Sequence, residues 1–442
     1  MKVLFVSLGC DKNLVDSEVM LGLLRERNYE ITDDDNQADV VVVNTCCFIG
    51  DAKEESINTI LEMAELKETG RLKVLAVTGC LAQRYQEEIR KEIPEVDVVL
   101  GTKSIEDICD AIDEALQGHI LEEFKDVDYL PLVDAKRINT TGGYFSYLKI
   151  AEGCDKRCTY CIIPSVRGTY RSVPIERLIS EASELAKNGV EELILVAQET
   201  TVYGVDLYGE KSLPKLLREL CKIAGIKWIR ILYCYPEEIT DELIQVIKEE
   251  PKICHYLDMP IQHGTDSILK RMGRWTNKQE IIQIVEKLRR EIPDICLRTT
   301  LISGFPGETQ EEHEELLEFV KQMKFDRLGV FPYSAEENTP AAEFPDQIPE
   351  EVKNARRDEV MQVQQKIAFA VAEDMLYRKV EVLIEGKLPE ENVFIGRTYR
   401  DAPNVDGYIF VNSSHELISG EMVTVQVTDA KGYDLIGEVV WE

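Results

Sequence analysis

Long apolar runs are missing from this 442-residue chain. None reaches the roughly 20 residues that a helix needs to cross a bilayer, so a membrane-spanning protein is excluded as an expectation. Positive charge is scarce as well: 51 Lys and Arg stand against 82 Asp and Glu, a formal net charge of −31. Phosphate neutralisation supplies most of the affinity in charge-driven nucleic-acid binding, so direct nucleic-acid binding is not expected to dominate. An acidic excess favours a basic partner, or serves solubility alone. Internal repeats and low-complexity segments are also missing. With 44% hydrophobic and 30% charged residues, the chain reads as globular, with material for about two to four domains.

A dense disulfide framework is absent too. Twelve cysteines spread along so long a chain read as reduced intracellular thiols, with the cytoplasm as the expected location. Cys10 raises its own question, because "MKVLFVSLGC" has a Lys, a short apolar run and a cysteine, like a lipoprotein-processing site. A secretory signal carries an apolar stretch of roughly 7–15 residues. Val3 to Gly9 barely reaches that minimum and contains Ser7. Asp11 to Asn13 then reads as a turn, and Val15, Val19, Leu23 and Leu24 recur at helical spacing. Asp16, Ser17 and Glu18 fall in the first helical turn, where acidic groups suit the dipole. Strand, loop and helix open an α/β domain, and no export is expected. Cys10 is then an ordinary buried thiol or a metal ligand at a strand tip.

What is present is alternation. In residues 1–100, "KVLFVSLG", "ADVVVVNTC", "LKVLAVTGC" and "VDVVLGT" are short, β-branched, nearly continuous apolar runs separated by amphipathic stretches such as "EESINTILEMAELKE". Such runs are strands of a parallel sheet buried on both faces, so a doubly wound α/β domain is expected over 1–135. Residues 119–143 read as a linker, with charges, Pro131 and "TTGG". A second series, with strands at 144–150, 192–197, 228–233, 255–260, 295–302 and 327–332, predicts a partial (β/α)6 TIM-like barrel over 140–374, closed by a helix at 349–374. Short strands with turn residues between them fill 375–442 and predict a small all-β barrel or sandwich.

"EGCDKRCTYCIIP" sets Cys154, Cys158 and Cys161 in C-x3-C-x2-C spacing after the first strand of the second series. Zinc would want a fourth protein ligand, and no His or Cys lies nearby in sequence. A [4Fe–4S] cluster on three cysteines keeps one iron open, and Lys156 and Arg157 would offset its charge. The stretch resembles the radical S-adenosylmethionine superfamily. That resemblance implies that the open iron chelates S-adenosylmethionine, and that one electron splits the sulfonium to give a 5′-deoxyadenosyl radical. It also makes Tyr160, just before the third cysteine, an adenine contact. Gln198 and Glu199 in "VAQETT" and Ser303 and Gly304 in "LISGFPGET" end strands where barrel sites are built. They are cofactor contacts, or "SGFPGE" is simply a turn before a helix. His263 in "PIQHG" contacts substrate or is a structural histidine.

Cys10, Cys46 and Cys80 each follow a strand of the first series: "VSLGC", "VVNTC" and "AVTGC". Parallel strands bring their C-terminal ends to one sheet edge, so the three can converge. Cys47 should point elsewhere, because side chains alternate along extended chain. Cys109, Cys221, Cys234, Cys254 and Cys296 fit scattered core thiols. "LGCDKNLVDSE", "NTCCFI" and "TGCLAQRY", followed by C-x3-C-x2-C and an all-β tail, resemble the methylthiotransferase family from end to end. The resemblance implies a second three-cysteine [4Fe–4S] cluster on Cys10, Cys46 and Cys80, whose open iron holds the sulfur to be inserted. It implies that the tail is an antiparallel TRAM barrel that binds substrate. A low-potential electron donor and a sulfur donor are further implied partners.

The family's main branches act on tRNA adenosine or on an aspartate of a small-subunit ribosomal protein. Lys12 and Asn13 followed by "VDSE", and "GRTYRDAPNVDGYIFV" in the tail, resemble the second branch. The tail carries 6 basic and 12 acidic residues. A tRNA-binding barrel would be expected to show a basic face. An acidic one suits a basic ribosomal protein. The expected reaction is methylthiolation of that protein's aspartate β-carbon, with tRNA methylthiolation and a non-catalytic iron–sulfur carrier as the alternatives.

Overall fold

A computed structural model of the chain describes residues 1–131, 136–389 and 392–441. The boundaries placed at residues 135 and 442 lie outside the described residues. By compactness the chain makes two units. One comprises Met1–Thr140, Ala151–Val173 and Ser334–Ala342, and the other Thr141–Ile150, Pro174–Tyr333 and Glu343–Glu442.

In the first unit, six parallel strands lie in the order Glu30–Thr32, Lys2–Ser7, Val40–Thr45, Val74–Gly79, Val98–Leu100, Leu121–Glu123. The run Val40–Val43 is wholly buried because apolar clusters cover both faces of the sheet. Each such valine contributes about 1.5–3 kcal/mol by leaving water. The last strand lies inside the stretch read as a linker; it is three residues long and carries two glutamates, too little pattern to betray a strand. The expected turn at Asp11–Asn13 is instead the start of the helix Asp11–Glu26, with Cys10 as its N-cap residue. Asp16, Ser17 and Glu18, expected in the first turn, therefore lie beyond it, and all three are buried: Asp16 pairs with Arg167, Ser17 with Asn44, and Glu18 with Thr140.

In the second unit, Phe145–Lys149, Glu192–Val196, Trp228–Ile231, Ile253–Asp258, Cys296–Ser303 and Arg327–Pro332 form one parallel sheet in chain order. That order, with helices between successive strands, is a partial (β/α) barrel. The helices at Lys278–Glu291 and Gln310–Met323 start in capping boxes, on Asn277 with Glu280 and on Thr309 with Glu312. The helix Glu350–Glu373 follows the last strand.

The tail is a closed five-stranded barrel: Lys379–Lys387, Val393–Thr398, Ile409–Asn412, Asp434–Val439, Met422–Lys431, and back to the first. The expectation of a purely antiparallel barrel needs one correction, since Ile409–Asn412 and Asp434–Val439 run parallel. Strand direction cannot alternate all the way round a ring with an odd number of members, so one neighbouring pair must run the same way. Val382, Ile384, Phe394, Val411 and Val425 are among the apolar side chains that fill it.

From the end of its second strand into the connection to the third, "GRTYRDAPNVDG" docks on the N-terminal half of the parallel sheet. Arg397 Nη2 donates to Glu192 Oε2 at 2.7 Å, Arg327 Nη2 to Asp401 Oδ1 at 2.5 Å, Arg400 Nη2 to Asp326 Oδ1 at 2.5 Å, and Tyr256 Oη to Asp406 Oδ2 at 2.7 Å. The segment that marks the branch in sequence is thus occupied in fastening the small barrel to the larger domain.

Candidate metal centres and cofactor site

The strands preceding Cys10, Cys46 and Cys80 are immediate neighbours, with Ser7 beside Asn44, Asn44 beside Thr78, and Thr45 beside Gly79. Cys46 and Cys80 therefore leave adjacent strands, about 4.8 Å apart, at the same level. Gly9 has φ +86°, and a Cβ there would lie 2.7 Å from Cys46 Cβ and 2.9 Å from its Sγ. Only glycine lets the first loop come so close to the second cysteine. Asn13 pins that loop, donating from Nδ2 to Leu8 O at 2.7 Å and to Thr45 O at 3.2 Å. Cys46 and Cys80 are buried and Cys10 is exposed. Burial pushes the Cys46 thiol up to about 12, and Cys80 and Cys10 push it the same way. Burial also raises Cys80, with the Arg167 guanidinium opposing and Cys10 adding to the rise. Cys47 is wholly buried and joins the apolar core with Ile60 and Leu81.

The C-x3-C-x2-C loop belongs to the same compact unit. Gly153, φ +72°, crosses so close to Thr169 O that a Cβ would lie 1.9 Å from it. Cys154 N donates to Gly168 O at 3.0 Å, Lys156 N to Cys154 Sγ at 3.4 Å, and Cys161 N to Cys158 O at 3.1 Å. A backbone N–H aimed at a sulfur favours the thiolate, the form that binds iron. Cys154 and Cys158 are buried, while Cys161 and Tyr160 are half-buried. Among the described residues, no group of three or more His, Cys, Asp and Glu side chains is drawn together around a single-ion site.

Sequence reasoning missed Arg167. It ends the short helix Ile163–Arg167 that follows the C-x3-C-x2-C loop, and it is 1% exposed. Its Nε points at Cys80 Sγ, 3.4 Å away; Nη1 reaches Asp16 at 2.6 Å and Glu152 at 3.2 Å; Nη2 reaches Asn13 Oδ1 at 2.9 Å. No local pattern could reveal it, because Asp16 is 151 positions away.

The other expected cofactor residues fall in the second unit. Gln198 Oε1 is buried and has no hydrogen-bond partner among the described residues. Glu199 is buried and accepts from Thr201 N at 3.1 Å. Ser303 is wholly buried and donates to Lys353 O at 3.1 Å. Gly304, φ +67°, lies where a Cβ would meet Lys353 Cγ at 2.4 Å, and its N–H donates to Glu308 Oε2 at 2.8 Å. His263 is wholly buried, with Thr265 N donating to its Nδ1 at 3.2 Å and Glu308 Oε2 lying 3.6 Å from its Nε2. Glu308 holds Arg356 in turn, at 3.0 Å. Two residues at the C-terminal ends of strands, Tyr233 (φ +59°) and Gln262 (φ +73°), adopt left-handed conformations without being glycine. Such strain collects at functional sites.

Comparison with known proteins follows the same division. Residues 2–101 match the uncharacterized protein family UPF0004, residues 148–320 the radical SAM superfamily, and residues 378–440 the TRAM domain. The ribosomal protein uS12 methylthiotransferase RimO of Lachnoclostridium phytofermentans is 68% identical over 437 residues, covering 99% of each chain. The chain belongs to the RimO family. RimO of Clostridioides difficile is 51% identical over 442 residues, covering 100% of this chain and 99% of its own. As a RimO-family member the chain is a radical S-adenosylmethionine methylthiotransferase, and its radical SAM domain implies a [4Fe–4S] cluster and S-adenosylmethionine. Among solved structures, the radical S-adenosylmethionine methyltransferase TsrM of Kitasatospora setae has a similar fold, with TM-score 0.55 at 15% identity, covering 88% of this chain and 79% of that one. Among the described residues, no helix of this RimO-family chain is long and apolar enough to cross a membrane.

Proposed function

We propose that the chain methylthiolates the β-carbon of an aspartate in uS12, the small-subunit ribosomal protein of the decoding centre. Cys154, Cys158 and Cys161 would hold the cluster that engages S-adenosylmethionine, and Cys10, Cys46 and Cys80 a second [4Fe–4S] cluster that carries the sulfur. The observation that carries the reading is that Cys46 and Cys80 leave neighbouring strands level with each other, with Gly9 bringing the Cys10 loop against Cys46. Four-iron clusters are normally held by four cysteines, so two sets of three fit two clusters that each keep an open iron. When bound, these groups supply the electron, the hydrogen-abstracting radical, the sulfur and the methyl group.

The chain's own residues bind and orient. The backbone N–H of Lys156, donating to Cys154 Sγ at 3.4 Å, would help orient that sulfur. Tyr160 would stack on adenine, and Gln198 would give its buried acceptor to the cofactor. Glu199 would stand beside it. Ser303 and Gly304 would contact the cofactor from the strand end, which Ser303 fastens by donating to Lys353 O. We assign 1–135 to the sulfur-carrying domain, 140–374 to the radical domain and 375–442 to substrate binding, where the acidic balance suits a basic ribosomal protein. A low-potential electron donor, a sulfur donor and a cytoplasmic setting complete the proposal.

The test is anaerobic turnover of reconstituted protein with S-adenosylmethionine, sulfide and dithionite, offering uS12 and tRNA in parallel. Mass spectrometry should find 5′-deoxyadenosine and a methylthio gain on one aspartate peptide. A gain on tRNA alone would overturn the substrate. Bound iron without any 5′-deoxyadenosine would leave an iron–sulfur carrier.

A further inference from the structure

A buried arginine is anchored to both cysteine sets by chain connectivity and hydrogen bonding. Arg167 lies six positions after Cys161, on the helix that leaves the C-x3-C-x2-C loop. Thr102 Oγ1 fixes that helix by donating to Val166 O at 2.8 Å, and Val166 packs in the same apolar core as Leu81. The guanidinium then reaches Cys80 Sγ, 3.4 Å from its Nε. All three nitrogens of its planar fork have partners: Nη1 has Asp16 and Glu152, Nη2 has Asn13, and Nε has Cys80 Sγ. The carboxylates and the Asn13 carbonyl fix the plane of the fork, and that plane aims the remaining N–H at the sulfur. A lysine ammonium has no such fixed geometry.

We propose that Arg167 is a positioning residue for the second cluster, fixing Cys80 and supplying the buried positive charge that sets how readily that cluster takes up an electron. This rests on the reading that Cys80 is an iron ligand. Hydrogen bonds to cluster sulfurs and the net charge around them are the levers by which a protein sets the potential of an iron–sulfur centre. A cation buried against one ligand favours the more negative, reduced state. Asp16, held by the same guanidinium, acts in the opposite sense. The pair therefore gives a signed expectation that a merely structural role for Arg167 does not.

The experiment uses the full-length chain carrying Cys154→Ala, Cys158→Ala and Cys161→Ala, so that only the second cluster is reconstituted. Iron and sulfide content are measured first. The one-electron midpoint is then followed by electron paramagnetic resonance during anaerobic titration with dithionite, which takes the cluster from the 2+ to the 1+ state. Arg167→Gln should move the midpoint to lower potential and Asp16→Asn to higher potential, with about the parent's iron content. An unchanged midpoint, or shifts in the same direction, would overturn the role assigned to Arg167. Where Arg167→Gln yields no folded protein, Asp16→Asn decides alone, and a midpoint at or below the parent's overturns it. If the parent itself binds no cluster, the ligand reading of Cys10, Cys46 and Cys80 is what fails.

Discussion

Arg397, on the second strand of the C-terminal barrel, donates to Glu192 at the first position of the second strand of the parallel sheet, 2.7 Å away, and neither side chain is exposed. Arg230 donates to the other oxygen of the same carboxylate at 2.8 Å. Burial pushes Glu192 toward protonation, but Arg397 and Arg230 together hold it below the usual carboxylate range.

Removing Arg397 leaves the buried Glu192 with Arg230 as its remaining cation, so the cost stays below the about 3–5 kcal/mol of a buried charge stripped of its partner. Arg397→Ala should therefore lower the thermal unfolding midpoint by several degrees. The pH dependence has a definite sign. A carboxylate whose folded pKa is depressed stabilises above its unfolded pKa, about 4.3 for Glu, and that stability is lost as pH falls through the folded value. Scanning calorimetry from pH 7 down to 3 should show the wild type losing more stability than Glu192→Gln over that window.

Gly9→Ala tests the approach of the first loop to Cys46. The new methyl would need the space 2.7 Å from Cys46 Cβ, at a backbone φ of +86° that costs a side-chain-bearing residue about 1–2 kcal/mol. The protein should still fold, because the sheet core lies elsewhere, in residues such as Val42 and Val77. Anaerobically reconstituted Gly9→Ala should hold roughly half the iron and sulfide of the wild type. Full iron content would show that the loop approach is irrelevant to the cluster.

Much of the architecture was legible in the sequence where side chains write a local pattern. The strand expected at 327–332 is Arg327–Pro332, and the helix expected at 349–374 is Glu350–Glu373. The three strand-following cysteines were legible for the same reason, since each ends a β-branched run. What could not be read depends on partners far along the chain. Asp16 and Glu18 read as first-turn acids, yet the helix begins at Asp11 and holds them beyond its first turn, buried against Arg167 and Thr140. Strand direction around the C-terminal barrel follows from ring parity, which no stretch of residues encodes. Ser303 and Gly304 stood out as strand-end residues able to contact a cofactor, while their neighbour Lys353 lies some 50 positions on and left no mark in the local pattern.

Cys10→Ala and Cys154→Ala should fail in different ways. With Cys10 gone, the C-x3-C-x2-C loop is untouched, so S-adenosylmethionine should still be cleaved to 5′-deoxyadenosine while methylthiolated uS12 falls to background. Cys154→Ala should abolish both products. Methylthiolation by Cys10→Ala at the normal rate would remove the second cluster from the reaction.

Gln198 separates affinity from stability. Its Oε1 is buried without a hydrogen-bond partner among the described residues, and a buried acceptor left unpaired costs roughly 1–3 kcal/mol. Replacing it with leucine, which fills similar space without the polar atom, should leave the unfolding midpoint unchanged or slightly raised. If the oxygen serves the cofactor, the same variant should bind S-adenosylmethionine about tenfold more weakly, the loss of one hydrogen bond worth about 1.4 kcal/mol. Calorimetric titration of the reconstituted enzyme measures that directly. Weaker binding at undiminished stability would mark Gln198 as a cofactor contact. Full affinity would leave its unpartnered oxygen without that role.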